Sequence, residues 1–463
     1  MDTDGCSVFA RASAVSAGSG TREHPYASLQ EAIDHAAGEM EGRTVCACAG
    51  KAFTEAVTLR AGIEVRGDYT CDGEWKRSPG TKSTIEGPPG QVALTLTEAA
   101  AGAKVQGFEI RAASATEPGG SSIAVAVANV AATLKQVKAV ARDAMAGANG
   151  ETPAGMATAG EDALAGDAAN ACVDAPKGGK PGVTTCGAVD ASGGAGGPGG
   201  TPTAVDGTRG ADGKPMFEAM RTGKGGLVDQ GLGQIGLPGA PGGPGQSGSG
   251  GGKDARLTLT GILGGDGAPG GAGKPGQGGG GGGGSNVLDF CPALGGLPVI
   301  GTGASGGGGG AGGCGGAGGA GGRAGGSSIG IVSLGKELIL VEVGVEVGKG
   351  GNGGNGTAGQ PGGSGGRGAA GGVCTVDPDV AYAGAGGDGG DGGRGGPGGG
   401  GRGGYAIGIA YVTAPDAIPS FSPSTHGRAG VGGLDGRGFS AEAGQPGGAA
   451  KCWRFDRNES CAQ

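Results

Sequence analysis

The sequence predicts an all-β protein, a right-handed parallel β-helix (solenoid) with an N-terminal capping helix and packed polyglycine-II helices formed by long glycine-rich insertions. Three observations lead there. Gly occupies 124 of 463 positions, roughly four times the usual share of about 7 %, and over runs such as 311–323 it fills two positions of every triplet. One short helical signal is followed by a ladder of short strand candidates. A strand-bearing motif then recurs at a constant offset.

The helix comes first. Ser28-Leu29-Gln30-Glu31 reads as a capping box, and Leu29, Ala32, Ile33 and Ala36 share one helical face. The strand candidates follow at 44–49, 56–60, 63–66, 92–97 and 104–110, separated by Gly or Asx turns. A stacked sheet otherwise exposes its last edge, so the helix over 28–37 is assigned as its plug.

The repeat comes next. Gly119-Gly120-Ser121-Ser122-Ile123 recurs as Gly325-Gly326-Ser327-Ser328-Ile329, and at the same offset Leu134 matches Leu340 and Asn149-Gly150 matches Asn355-Gly356. A third copy begins at Gly403-Gly404-Tyr405, and Leu257-Thr258-Leu259-Thr260 reads as a degenerate fourth. In 123–128, 329–331 and 407–410 one strand face carries Ile or Val and the other only Ala or Gly. The small positions Ala124, Ala126, Gly330 and Gly408 are therefore expected to face outward, under the glycine-rich chain itself.

Collagen is excluded because it needs one Gly per triplet with abundant Pro, and Pro numbers 25. A chain with two Gly per triplet instead suits threefold extended helices, three residues per turn at ~3.1 Å rise. Five segments follow: 1–150, a β-helix segment with its capping helix; 151–325, a glycine-rich insertion with a strand at 255–262; 326–347, a strand repeat; 348–404, a second insertion; and 405–463, a closing strand and stapled tail.

The formal net charge of −8 leaves no basic surplus for nucleic acid or anionic lipid. No apolar stretch suggests direct membrane insertion. Eleven cysteines form no CxxC pair, so disulfides in an oxidising compartment are the reading. The expected bridges join Cys452 with Cys461, Cys46 or Cys48 with Cys71, and Cys172 with Cys186. Met1-Asp2-Thr3-Asp4 has neither a basic start nor an apolar run, so the chain is taken as a mature secreted or cell-surface domain without its export signal.

Residues 20–33, Gly20-Thr21-Arg22-Glu23-His24-Pro25-Tyr26 through Ile33, together with Val45 to Leu59 and Gly62 to Gly67, resemble the opening of secreted bacterial right-handed parallel β-helix proteins. With Asp68-Tyr69-Thr70-Cys71, Trp75 and the glycine-rich tail, the pattern is similar to glycine-rich surface proteins of the myxobacterial type. The likeness in motif covers about residues 13–110. It implies export and a β-helix, and no catalytic residue can be carried over from it.

Chemical motifs are sparse. GxSxG matches at Ser305 and Ser364 lack the strand and helix of a nucleophile elbow, and no GxxxxGK[ST] run exists. Asp388 and Asp391, like Lys349, Asn352 and Asn355, would project from one side of a threefold helix, as a solvated polar edge or an ion or glycan site. Glu55, Glu64 and Glu109 could in principle meet on one solenoid face, but a solvent-facing structural role is the favoured reading. A sugar cleft would also want stacking aromatics, of which only Trp75 and Trp453 exist, far apart in sequence. The reading is a non-enzymatic, exported structural or adhesive protein with no cofactor and no metal. Its polyglycine bundle would present a binding or shielding surface to cell-surface glycans or proteins, with self-association open. Ice or carbohydrate binding is the alternative, and a carbohydrate-active enzyme a more distant one.

Overall fold

The computed structural model describes residues 5–14, 18–39, 44–71, 74–167, 176–216, 221–252, 254–287, 291–292, 298–299, 301–373, 382–415 and 427–461. Its one α-helix, Leu29–Gly38, begins where the Ser28 hydroxyl accepts the Glu31 N–H at 3.2 Å. Glu31 does not complete the box. The carboxylate of Glu55 instead accepts the Ser28 hydroxyl at 2.7 Å and the Leu29 and Gln30 N–H groups at 2.6 and 3.3 Å, so three donors at the helix N-terminus meet one anion. The apolar face of Leu29, Ala32, Ile33 and Ala36 is buried against the strands Val8–Ala10, Thr44–Cys48 and Val57–Leu59. Burying the Leu29 and Ile33 side chains contributes about 1.5–3 kcal/mol each.

Three mostly parallel sheets surround the core. One runs Val8–Ala10, Thr44–Cys48, Glu64–Thr70, Ala103–Gln106, Ala132–Lys135 and Leu338–Val341, with Lys76–Arg77 antiparallel beside Glu64–Thr70. A second runs Val57–Leu59, Leu94–Leu96, Ser122–Val127, Ser328–Ser333, Ala406–Tyr411, Ala449–Arg454 and Glu459–Ser460. The third holds Ser83–Gly87, Phe108–Ala112, Lys138–Val140 and Gly344–Glu346. The single strand read at 104–110 is two, because Gly107 turns the chain with φ +75°.

The sequence copies lie side by side. Ser122–Val127 pairs in register with Ser328–Ser333, which pairs in register with Ala406–Tyr411. The repeated serines explain the motif. Ser121 Oγ accepts the Ser327 N–H at 2.9 Å and Ser327 Oγ accepts the Tyr405 N–H at 3.0 Å, so the first serine of each copy holds the next copy. The second serine accepts an N–H twenty residues on, Ser122 from Arg142 and Ser328 from Gly348, each at 2.9 Å.

The outward assignment is corrected for Ala124 and Gly330, while Ala126 lies in the outer cluster as expected. Ala124 and Val125 both belong to the inner cluster, so the strand alternation slips there. A Cβ at Gly330 would stand 2.1 Å from Val345 Cγ1, which places that position inward against the third sheet, and one at Gly408 would meet the Lys451 carbonyl oxygen at 2.5 Å. At Gly330 the second and third sheets approach too closely for a larger side chain, and at Gly408 the adjacent strand of its own sheet leaves no room for one. Ile123, Ile329 and Ile407 form a separate outer cluster with Ala126, covered by Leu257, Tyr405 and Trp453. The cover is an apolar hairpin, Arg256–Thr258 with Gly261–Leu263, so the sequence read as a fourth copy is an antiparallel lid over the sheet. Arg402, 1 % exposed, fixes it: its N–H donates to Gly265 O at 2.7 Å, Nη2 to Gly264 O at 3.2 Å, and its guanidinium lies 5.2 Å from the Tyr405 ring centre.

The glycine-rich segments pair backbone to backbone outside any strand. Gly267, Gly270, Gly273 and Gly276 donate to the carbonyls of Gly322, Gly319, Gly316 and Gly313, so one segment advances by three as its neighbour retreats by three. Gly313, Gly316, Gly319 and Gly322 donate in turn to Gly390, Gly393, Gly396 and Gly399, running parallel. A three-residue hydrogen-bond repeat is what a threefold extended chain gives, since its turns direct successive N–H groups to different neighbours. Ordering so many glycines costs backbone entropy. The lattice offsets it by satisfying the backbone groups, at a net of about 0.5–1.5 kcal/mol per bond.

The predicted all-β solenoid is therefore corrected. The described residues form several mostly parallel sheets, four two-stranded antiparallel pairs and a single α-helix, and long glycine-rich stretches belong to neither strand nor helix. All-β class fits only the strand-bearing part. The physical reason is that glycine without side chains finds backbone partners in a lattice and does not need sheet geometry to do so.

Candidate binding surface

Four disulfides tie the described chain together: Cys6–Cys46, Cys48–Cys71, Cys186–Cys314 and Cys452–Cys461. Strand alternation sends Val45 and Ala47 inward and Cys46 and Cys48 outward, where they meet Phe9, Tyr69 and Trp75. Cys452–Cys461 closes the tail between Ala449–Arg454 and the antiparallel Glu459–Ser460. The expected Cys172–Cys186 bridge is corrected, because Cys186 is joined to Cys314, 128 residues away. Cys186 sits on the hairpin Thr185–Cys186 with Val189–Asp190, and the lattice brings the remote 311–323 run beside it. Cys172 lies outside the described residues.

The acidic residues do not converge. Glu55 caps the helix, Glu64 pairs with Arg66 at 2.8 Å, and Glu109 pairs with Arg111 at 2.8 Å and Lys138 at 3.4 Å. The Arg66 hydrogen bond holds the Glu64 carboxyl below its ordinary value. Lys138 also meets Glu346 at 3.0 Å, and Arg111 meets Glu86 at 3.1 Å, giving one alternating charge ladder across the third sheet. Ser305 is buried and its hydroxyl accepts the Gly199 N–H, which is a packing role. Trp75 is 5 % exposed in the disulfide cluster and Trp453 stacks edge-on with Tyr405, so neither ring forms an open sugar platform.

The polar third residues of the triplets have a role that sequence reasoning missed. Asp388 and Asp391 accept the Gly368 and Gly365 N–H groups at 2.8 and 2.9 Å. Asn352 and Asn355 accept from Val431 and Leu434, Asn149 from Asn355, and Asp143 from Lys349, at 2.8–3.1 Å. At the lattice edge an N–H has no further chain to meet, and the carboxylate or amide oxygen of a short side chain from the neighbour takes its place. The fixed offset between Asn149 and Asn355 was the available signal. Among the described residues no cluster of His, Cys, Asp and Glu is placed to hold a metal ion, and no helix is long and apolar enough to cross a membrane.

The resulting surface alternates bare backbone with regularly spaced short side chains. Ala317 is exposed while Gly318 and Gly319 beside it press on neighbouring carbonyls. No protein-family pattern, curated protein or solved structure matches the chain.

Proposed function

We propose that the chain is a non-enzymatic, exported structural or adhesive protein whose glycine lattice is a rigid support for a binding or shielding surface. The observation that carries this reading is the closeness of the lattice: a Cβ at Gly318, Gly319, Gly321 or Gly322 would lie 1.9 Å from a neighbouring carbonyl oxygen. Such packing fills the space between these neighbouring segments with backbone and directs variation to the third residues and connecting loops. Four disulfides suit an oxidising compartment. Cell-surface glycans or proteins are the proposed partners.

A glycan array and whole-cell binding assay with purified protein tests the reading. Saturable binding that survives Ala317→Ser and falls with Gly319→Val supports a lattice-borne surface. Turnover of any polysaccharide in a panel, or no binding to any glycan or cell, contradicts it.

A further inference from the structure

Segments 208–213, 221–227 and 233–239 run side by side in the lattice, joined by Gly210 N–H to Gly226 O at 2.9 Å and Leu237 N–H to Lys224 O at 2.8 Å. The middle segment contributes Gly225 and Gly226, which pack backbone to backbone against Gly210 and Gln234 of the flanking segments. These segments border an open groove of about 660 Å³ lined by Arg209, Arg221, Lys224, Leu227, Ile235 and Leu237. That volume falls within the roughly 300–1,000 Å³ of small-molecule sites.

Its two halves differ in chemistry. Leu227 and Ile235 are 59 % and 64 % exposed, neighbouring aliphatics left to water. Among the basic residues of the lining, Lys224 is held by Asp212 at 3.0 Å, and Asp212 also pairs with Arg209 and accepts the Gly225 N–H at 2.8 Å. Partial burial pushes the Asp212 carboxyl up, but the Gly225 N–H, Lys224 and Arg209 together bring it below its ordinary value, so it stays ionised. Arg221 has no carboxylate partner among the described residues. Among the described residues, three cations stand against one carboxylate at this groove, in a chain of formal net charge −8.

We propose that this groove binds a free single-chain amphiphilic anion, its headgroup on Arg221 and Lys224 and its alkyl tail along Leu227, Ile235 and Leu237. Charge complementarity selects the anion, and the exposed aliphatic wall selects the tail. The site stands independently of the scaffold role.

Calorimetric titration with decanoate, decanol and acetate tests it. Decanoate binds, whereas decanol lacks the charge and acetate the tail, and each is weaker by at least about tenfold. Arg221→Gln and Ile235→Ser each weaken decanoate by a similar factor, while Val431→Ser, exposed elsewhere, leaves it unchanged. Both groove positions are exposed, and melting curves matching the parent verify that the variants fold. Equal affinity for decanol and decanoate, or groove variants that bind decanoate as the parent does, overturns the proposal. So does co-sedimentation with phosphatidylglycerol vesicles in the absence of decanoate binding, which would assign the cations to a membrane surface.

Discussion

A methyl group added at Gly318 would stand 1.9 Å from the carbonyl oxygen of Gly270, while Gly270 itself donates to Gly319 O at 2.9 Å. Contact and hydrogen bond come from the same pair of segments, so glycine is required there by packing as well as by chain geometry. Gly319→Val drives a branched side chain against the Thr357 carbonyl, also 1.9 Å from the ideal Cβ. The expected cost is about 1–3 kcal/mol or more, as for overpacking. Ala317→Ser, on the exposed third position, is expected to be neutral, and thermal melts with protease digestion separate the two.

Gly330→Leu tests the inward assignment. The new side chain enters the space of Val345 Cγ1, and the expected loss is about 1–3 kcal/mol. Val345→Ala in the same chain is expected to recover part of it, because the clash is with that side chain. A double-mutant cycle in denaturant measures the coupling.

Glu55→Gln removes the charge that receives the Ser28 hydroxyl and the Leu29 and Gln30 N–H groups. A loss of about 1 kcal/mol is expected, the usual scale for a helix cap. Ser28→Ala is expected to add less than its own cost to that background, because the Ser28 hydroxyl donates to the Glu55 carboxylate and the two residues share that bond. Urea unfolding of the single and double variants checks this.

Asp68 sits in a left-handed backbone conformation at φ +63°, is 3 % exposed and has one carboxylate oxygen without a partner. Burial raises its pKa, against the opposing pull of Lys82 and Arg77. A raised value means the folded state prefers the proton, so its contribution to stability is fully present below the ordinary carboxylate range and is lost as pH rises through the folded value. Asp68→Asn is expected to raise the melting temperature at pH 7, with the gain vanishing near pH 3. Asn also tolerates the left-handed conformation. A gain equal at both pH values would contradict the assignment.

Local signals in the sequence were read well where they act locally. The capping serine, the apolar face of Leu29 and Ile33, and the in-register pairing of Ile123, Ile329 and Ile407 follow from spacing alone. The reading of Ala124 and Gly330 as outward failed because alternation slips at Ala124 and Val125, and a slip leaves no mark in composition. The partner of Cys186 was hidden for a different reason. Glycine triplets look alike, so nothing in their sequence says that 311–323 lies beside 185–186. The edge acceptors Asp388 and Asn355 looked like solvated residues because their partners are backbone N–H groups, which every residue except Pro carries.

Amide hydrogen exchange read by mass spectrometry over 267–282 and 307–322 tests the central claim directly. Gly270, Gly273, Gly276, Gly313, Gly316 and Gly319 each donate to a neighbouring segment, and protection comparable to that of the strand Ser328–Ser333 is the predicted result. Exchange at the rate of an unstructured chain through both segments, with the strand still protected, would mean that the glycine lattice is not formed in solution.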